Sequence, residues 1–121
     1  MTVLHIALGG AIGAVLRHIF AVSLRFPFAT LCVNVLGCFA MGLAFAFLVE
    51  SSEGKSLDKW VPFVMTGILG GFTTFSAFSL DTLRLVEAGA SGKAAVYVVG
   101  TVLLCLASVL IGTALGRTLF P

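Results

Sequence analysis

Gly70-Gly71-Phe72-Thr73-Thr74-Phe75-Ser76-Ala77-Phe78 lies in the middle of the third of four long apolar stretches, and its reading decides the fold. Two adjacent glycines each cost a helix about 1 kcal/mol relative to alanine. Four hydroxyl residues follow closely: Thr73, Thr74, Ser76 and Ser79. In a bilayer, broken main chain survives only where protein or a water-filled cavity satisfies its N–H and C=O groups. The stretch therefore predicts a helix interrupted at mid-membrane depth and a candidate ion site, with loosened carbonyls for a cation and hydroxyls for a hydrated path. Phe75 and Phe78 are three apart, so a helix resuming after the break sets both rings on one face.

Composition supports a membrane setting for this break. Of 121 residues, 60% are hydrophobic and 10% charged, with a mean hydropathy of +1.17. A soluble domain of this size has no use for so much apolar surface, so the chain reads as an all-α integral membrane protein. A span takes about 20 apolar residues, which leaves room for four with short connections, over about 3–24, 29–49, 61–86 and 94–119. Residues 1–121 read as a single membrane domain, with no internal repeat. The net charge of +2 is small and scattered, which argues against a nucleic-acid partner. Cys32, Cys38 and Cys105 are odd in number, match no metal spacing and lie in apolar stretches, so they read as reduced packing residues. The first residues lack the basic region of a signal peptide, so the first stretch is expected to be retained.

Outward from the break, each stretch carries a few polar marks. In the first, Gly9 and Gly13 form a GxxxG pair that lets another helix approach closely. Arg17 and His18 follow about 21 Å from its start at 1.5 Å per residue. Arg17 must snorkel, pair or face water, and it could equally stand at the mouth of an anion path. The second stretch opens after Arg25-Phe26-Pro27-Phe28 and carries Asn34, with Thr30 one turn earlier on the same face. Asn34 either hydrogen-bonds neighbouring helices or lends its amide to a pore. Residues 50–59 hold five of the twelve charged residues and read as a solvated loop, with Ser56 a candidate helix cap and Trp60 an interfacial anchor. In the third stretch Gly67 and Gly71 make a second GxxxG pair, and Asp81 with Arg84 reads as a surface pair at i,i+3. Ala88 to Lys93 reads as a turn. On the fourth stretch Thr101, Cys105 and Thr113 share one face with Val109, and Gly112 and Gly116 make a third glycine pair.

Four spans put both termini on one side with Lys55, Lys59 and Arg117, against Arg17, Arg25, Arg84 and Lys93 opposite. Three basic residues against four give almost no orientation bias, so the chain is expected to insert both ways up. Four helices are also few for a selective pore. An antiparallel, dual-topology homodimer answers both points and would set two copies of the break back to back.

Three motifs taken together closely resemble the Fluc/CrcB fluoride channels. They are Gly9-Gly10-Ala11-Ile12-Gly13-Ala14-Val15-Leu16-Arg17, Thr30-Leu31-Cys32-Val33-Asn34, and the Gly70–Phe78 stretch. The resemblance covers nearly the whole chain. It implies a fluoride-selective channel rather than an enzyme: passive fluoride export conferring fluoride resistance, through two pores per antiparallel dimer, with a central structural sodium ion. It implies that Gly70 and Thr73 give backbone carbonyls to the sodium. Phe75 and Phe78 would offer ring edges to the anion, Asn34 its amide, and Thr30 and Ser76 hydroxyls. Arg17 would match the arginine of the family's first-helix motif, and Thr101, Cys105 and Thr113 its polar track. The implied setting is a prokaryotic inner membrane, crossed several times. Positive ring edges suit an anion, and edges, amides and hydroxyls replace its water without trapping it. Ala77 stands where the family usually has threonine, and Cys105 and Val109 weaken the polar track.

Two other classes fit parts of the chain. A small dual-topology multidrug-type transporter needs a membrane-embedded carboxylate, whereas Glu50 and Asp81 lie near span ends. A non-transporting assembly subunit would use its glycines and Asn34 only to pack helices. An intramembrane hydrolase would have to bring Ser76, His18 and Asp81 together from separated depths.

Overall fold

A computed structural model describes residues 1–51 and 56–121. Helix α1 spans Thr2–Ser23, and α2 spans Phe28–Glu50. The third span is Asp58–Glu87, made of α3 over residues 58–72 and α4 over Phe75–Glu87. Helix α5 spans Ser91–Leu119. Among the described residues these are four helical spans long and apolar enough to cross a membrane, as the composition predicts. α1 stops where Leu24 turns extended, three residues ahead of Pro27, whose ring cannot join a preceding hydrogen-bond ladder. Between α4 and α5, Gly89 takes a φ of +75°, a left-handed value that glycine adopts without strain.

Glycine contacts between helices set the packing. Gly9 and Gly13 of α1 press on the main chain of α3 at Phe63, Gly67 and Ile68. Gly71 meets Gly10 in return, where an added Cβ would come 2.7 Å from the Gly10 carbonyl oxygen. On the other side, Gly112 and Gly116 of α5 lie against Phe39, Leu43 and Ala46 of α2, and Gly42 of α2 lies against Val109 and Thr113. All three predicted glycine pairs therefore join helices of the same chain. The matched order of these contacts makes α1 parallel to α3 and α2 parallel to α5. α4 closes the bundle through a cluster of Phe78, Leu85, Ala94 and Tyr97, and Val33 and Ala46 are each only 1% exposed.

The break is real but displaced from the glycines. Gly70–Phe72 stays helical, and the chain becomes extended at Thr73 and Thr74 before α4 begins. Gly71 serves close approach to α1, for which a continuous helix is the right surface. Thr74 has its own reason to leave the helix: its hydroxyl accepts the Ala77 N–H at 3.2 Å and caps α4. The turns before the break are widened, with the Gly70 N–H reaching back five residues to Met65 as well as three to Gly67.

Other local expectations change. Asp81 and Arg84 do not pair: Asp81 is buried at 8% exposure, while Arg84 lies over the Phe26 ring at 4.9 Å. The periodicity that put both near a span end did not register that α2 and α5 cover Asp81. Ser56 does not cap α3. Leu57 holds the cap position without a side-chain bond, and the Asp58 carboxylate takes the Lys59 N–H at 3.0 Å. Glu50, placed by its charge in the solvated loop, is the last residue of α2 and makes a two-pronged ion pair with Arg117 at 2.7 and 2.8 Å. Lys55 and the middle of that loop lie outside the described residues.

Candidate functional site

The site is built by two polar residues in the first half of α2, Thr30 and Asn34, reaching across to α4. Asn34 grips the main chain of Thr74 at both of its polar groups: its Nδ2 donates to the Thr74 carbonyl at 3.0 Å, and the Thr74 N–H donates to its Oδ1 at 2.8 Å. One turn earlier on α2, Thr30 donates its hydroxyl to Asp81 Oδ2 at 2.6 Å. Tyr97 of α5 turns its hydroxyl toward the same oxygen at 3.4 Å. Thr30 and Asn34 therefore fix the start and the middle of α4.

This grip determines what the broken main chain offers. In a continuous helix the Thr74 N–H would answer the Gly70 carbonyl, and the Ala77 N–H the Thr73 carbonyl. Here Asn34 Oδ1 takes the first N–H and Thr74 Oγ1 the second. Both carbonyls lose their helical donors, and Gly70 and Thr73 line the same cleft. Two such oxygens suit a hard cation. No group of three or more His, Cys, Asp or Glu side chains able to hold a metal occurs among the described residues.

The cleft has a volume of about 480 Å³ and opens to the surface of the bundle. It brings together Asn34, Phe75, Phe78, Thr101 and Cys105 with the two carbonyl residues. Phe75 is 77% exposed, Phe78 is 7% exposed, and their ring centres are 5.4 Å apart. Phe78 is backed by Tyr97 at 5.3 Å. Thr101 is 5% exposed, and its hydroxyl has no hydrogen-bond partner among the described residues. A buried hydroxyl in that state carries a desolvation cost of about 1–3 kcal/mol that a ligand can relieve.

Not every predicted residue gathers here. Arg17 and Thr30 line a separate hollow of about 260 Å³ with His18, Thr74 and Ala77, which shares only Thr74 with the cleft. Ser76 is exposed at the clasp, with its hydroxyl 3.2 Å from that of Thr74. Thr113 turns its hydroxyl onto the Val109 carbonyl at 2.8 Å, beside Gly42, and does not line the cleft. Sequence reading passed over Tyr97 and the buried role of Asp81. The only trace was Tyr97 as the one tyrosine of the chain, inside an apolar run.

These features define a small multi-span membrane protein whose site is a helix broken and held open inside the bundle. A model of the family described as CrcB-like protein, Camphor Resistance (CrcB), matches residues 4–113. A Paracoccus denitrificans protein named fluoride-specific ion channel FluC is 50% identical, over 98% of this chain and 97% of its own. An Agrobacterium fabrum protein of the same name is 46% identical over 95% of each chain. The chain belongs to the CrcB-like family.

Proposed function

We propose that this chain is a fluoride channel of the bacterial inner membrane, a passive conduit rather than an enzyme, working as an antiparallel homodimer with two pores. The observation that carries this reading is the cleft at the break. An aromatic pair, a clamped amide and an unpartnered buried hydroxyl converge there beside two loosened carbonyls. The names of the relatives support fluoride as the ion.

The chemistry follows from the groups present. Asn34 has two amide N–H groups and uses one on Thr74, leaving the other for the anion. Phe75 and Phe78 offer positive ring edges, and Thr101 offers its hydroxyl. None of these bears a full charge, so the anion can exchange its water for them and still leave. Arg17, in the neighbouring hollow, raises the local anion concentration. Thr30 and Ser76 contribute by position, Thr30 through its hold on Asp81 and Ser76 through Thr74. In the antiparallel dimer the Gly70 and Thr73 carbonyls of both copies would hold a sodium ion, whose charge would answer the loosened main-chain dipoles.

A proton-coupled exporter is the rival class. The burial of Asp81 removes the argument that no carboxylate is embedded here; the relatives' names, which are those of ion channels, favour the passive reading. Fluoride release from loaded vesicles, followed with a fluoride electrode, tests the proposal. Rapid efflux once potassium is made permeable, with chloride retained, is the expected result. Vesicles that hold fluoride equally well with and without the protein would refute it.

A further inference from the structure

Cys38 and Cys105 take no part in the hydrogen-bond scheme of the clasp, yet both line the cleft. α2 and α5 run parallel there. Asn34, Cys38 and Gly42 follow one another at single-turn steps on α2, and Thr101, Cys105 and Val109 do the same on α5. Gly42 meets Val109, Asn34 and Thr101 line the cleft together, and between these two levels Cys38 and Cys105 line the same cleft from the two packed helices. Both are free and half-buried, and Cys32 does not line the cleft.

We infer that Cys38 and Cys105 form a two-thiol binding site for a soft divalent cation of the mercuric type. Sulfur selects soft metals, and the thiolate is the ligand. Structural zinc takes four ligands, and no third His, Cys, Asp or Glu joins this pair among the described residues. Two sulfurs, one from each of two packed helices, suit an ion that is satisfied by linear, two-coordinate binding. The balance is simple: each thiol gives its proton to solvent, two sulfur–metal bonds form, and a divalent ion leaves the product neutral. Neutrality matters in a cleft lined by Phe78, Val102 and Leu106, where an uncompensated charge is costly. If the cleft is the anion path proposed above, on which this consequence rests, the bridged ion obstructs it beside Asn34.

The test uses the reduced, full-length protein and mercuric chloride at one equivalent per chain. The expected product is one mercury per chain in the intact mass, with the free thiol count falling from three to one. Cys32→Ser should keep the bridge. Cys38→Ser and Cys105→Ser should hold mercury through one sulfur and lose it to a monothiol wash at least about tenfold faster, since the second sulfur acts at high effective concentration. A wild-type chain that loses its mercury as fast as the single-serine variants, or loses one thiol per ion, overturns the site. Fluoride efflux, read on the same samples against each variant's own starting rate, is a separate arm. A bridged chain that still conducts leaves the site standing and removes the cleft from the anion path.

Discussion

Asn34 and Thr74 are joined by two hydrogen bonds, 3.0 Å from the amide nitrogen to the carbonyl and 2.8 Å from the peptide N–H to the amide oxygen. A side-chain amide thus stands in for the helical neighbours that the break removed. The N–H and the C=O of Thr74 are both answered, which is what an interruption at membrane depth requires.

Replacing Asn34 with alanine should therefore destabilise the fold as well as stop transport. Two part-buried main-chain groups would be orphaned, at up to about 1–3 kcal/mol each. Asn34→Asp keeps the acceptor but loses the donor and adds a negative charge. Its fluoride efflux should fall at least about tenfold, the equivalent of 1.4 kcal/mol. Thermal unfolding in detergent and electrode-based efflux, measured side by side, separate the two effects.

The two phenylalanines should respond differently to isoleucine. Phe75 is 77% exposed, so Phe75→Ile should lower flux with little change in unfolding temperature. Phe78 is 7% exposed and packs on Tyr97, so Phe78→Ile should lower both, with about 1–3 kcal/mol lost to reshaped packing. Equal stability losses in the two variants would contradict the packing described here.

Asp81 accepts hydrogen bonds from Thr30 and Tyr97 on two other helices. Asp81→Ala should cost more stability than Asp81→Asn, whose carbonyl oxygen can still accept one of them. The difference should be about 1–2 kcal/mol, the worth of one retained bond. Denaturation midpoints of the two variants check it.

Gly13 and Gly10 lie on one helix but should tolerate alanine very differently. A Cβ on Gly13 would strike the Phe72 nitrogen at 2.8 Å, whereas one on Gly10 meets nothing within 4 Å. Gly13→Ala should lower the unfolding temperature by several degrees. Gly10→Ala should leave it unchanged or raise it, since alanine is favoured over glycine in a helix by about 1 kcal/mol.

What could be read without coordinates was whatever depends on local spacing. Apolar runs about one bilayer long predicted four spans, and hydroxyls crowded behind adjacent glycines predicted a break. Side chains three or four apart placed Phe75 with Phe78 and Thr30 with Asn34. What local spacing cannot carry is the partner across the bundle. Gly70 and Gly71 looked like the break because isolated helices disfavour glycine; in the fold Gly71 packs on Gly10, and the loosening moves to Thr73 and Thr74. Asp81 looked solvent-facing because Arg84 and Glu87 follow it, yet Thr30 and Tyr97, 51 and 16 residues away, bury it. Periodicity along one helix fixes its faces, but which face meets which neighbour is decided by packing among all of them. The clasp, the cleft and the thiol pair are products of that packing.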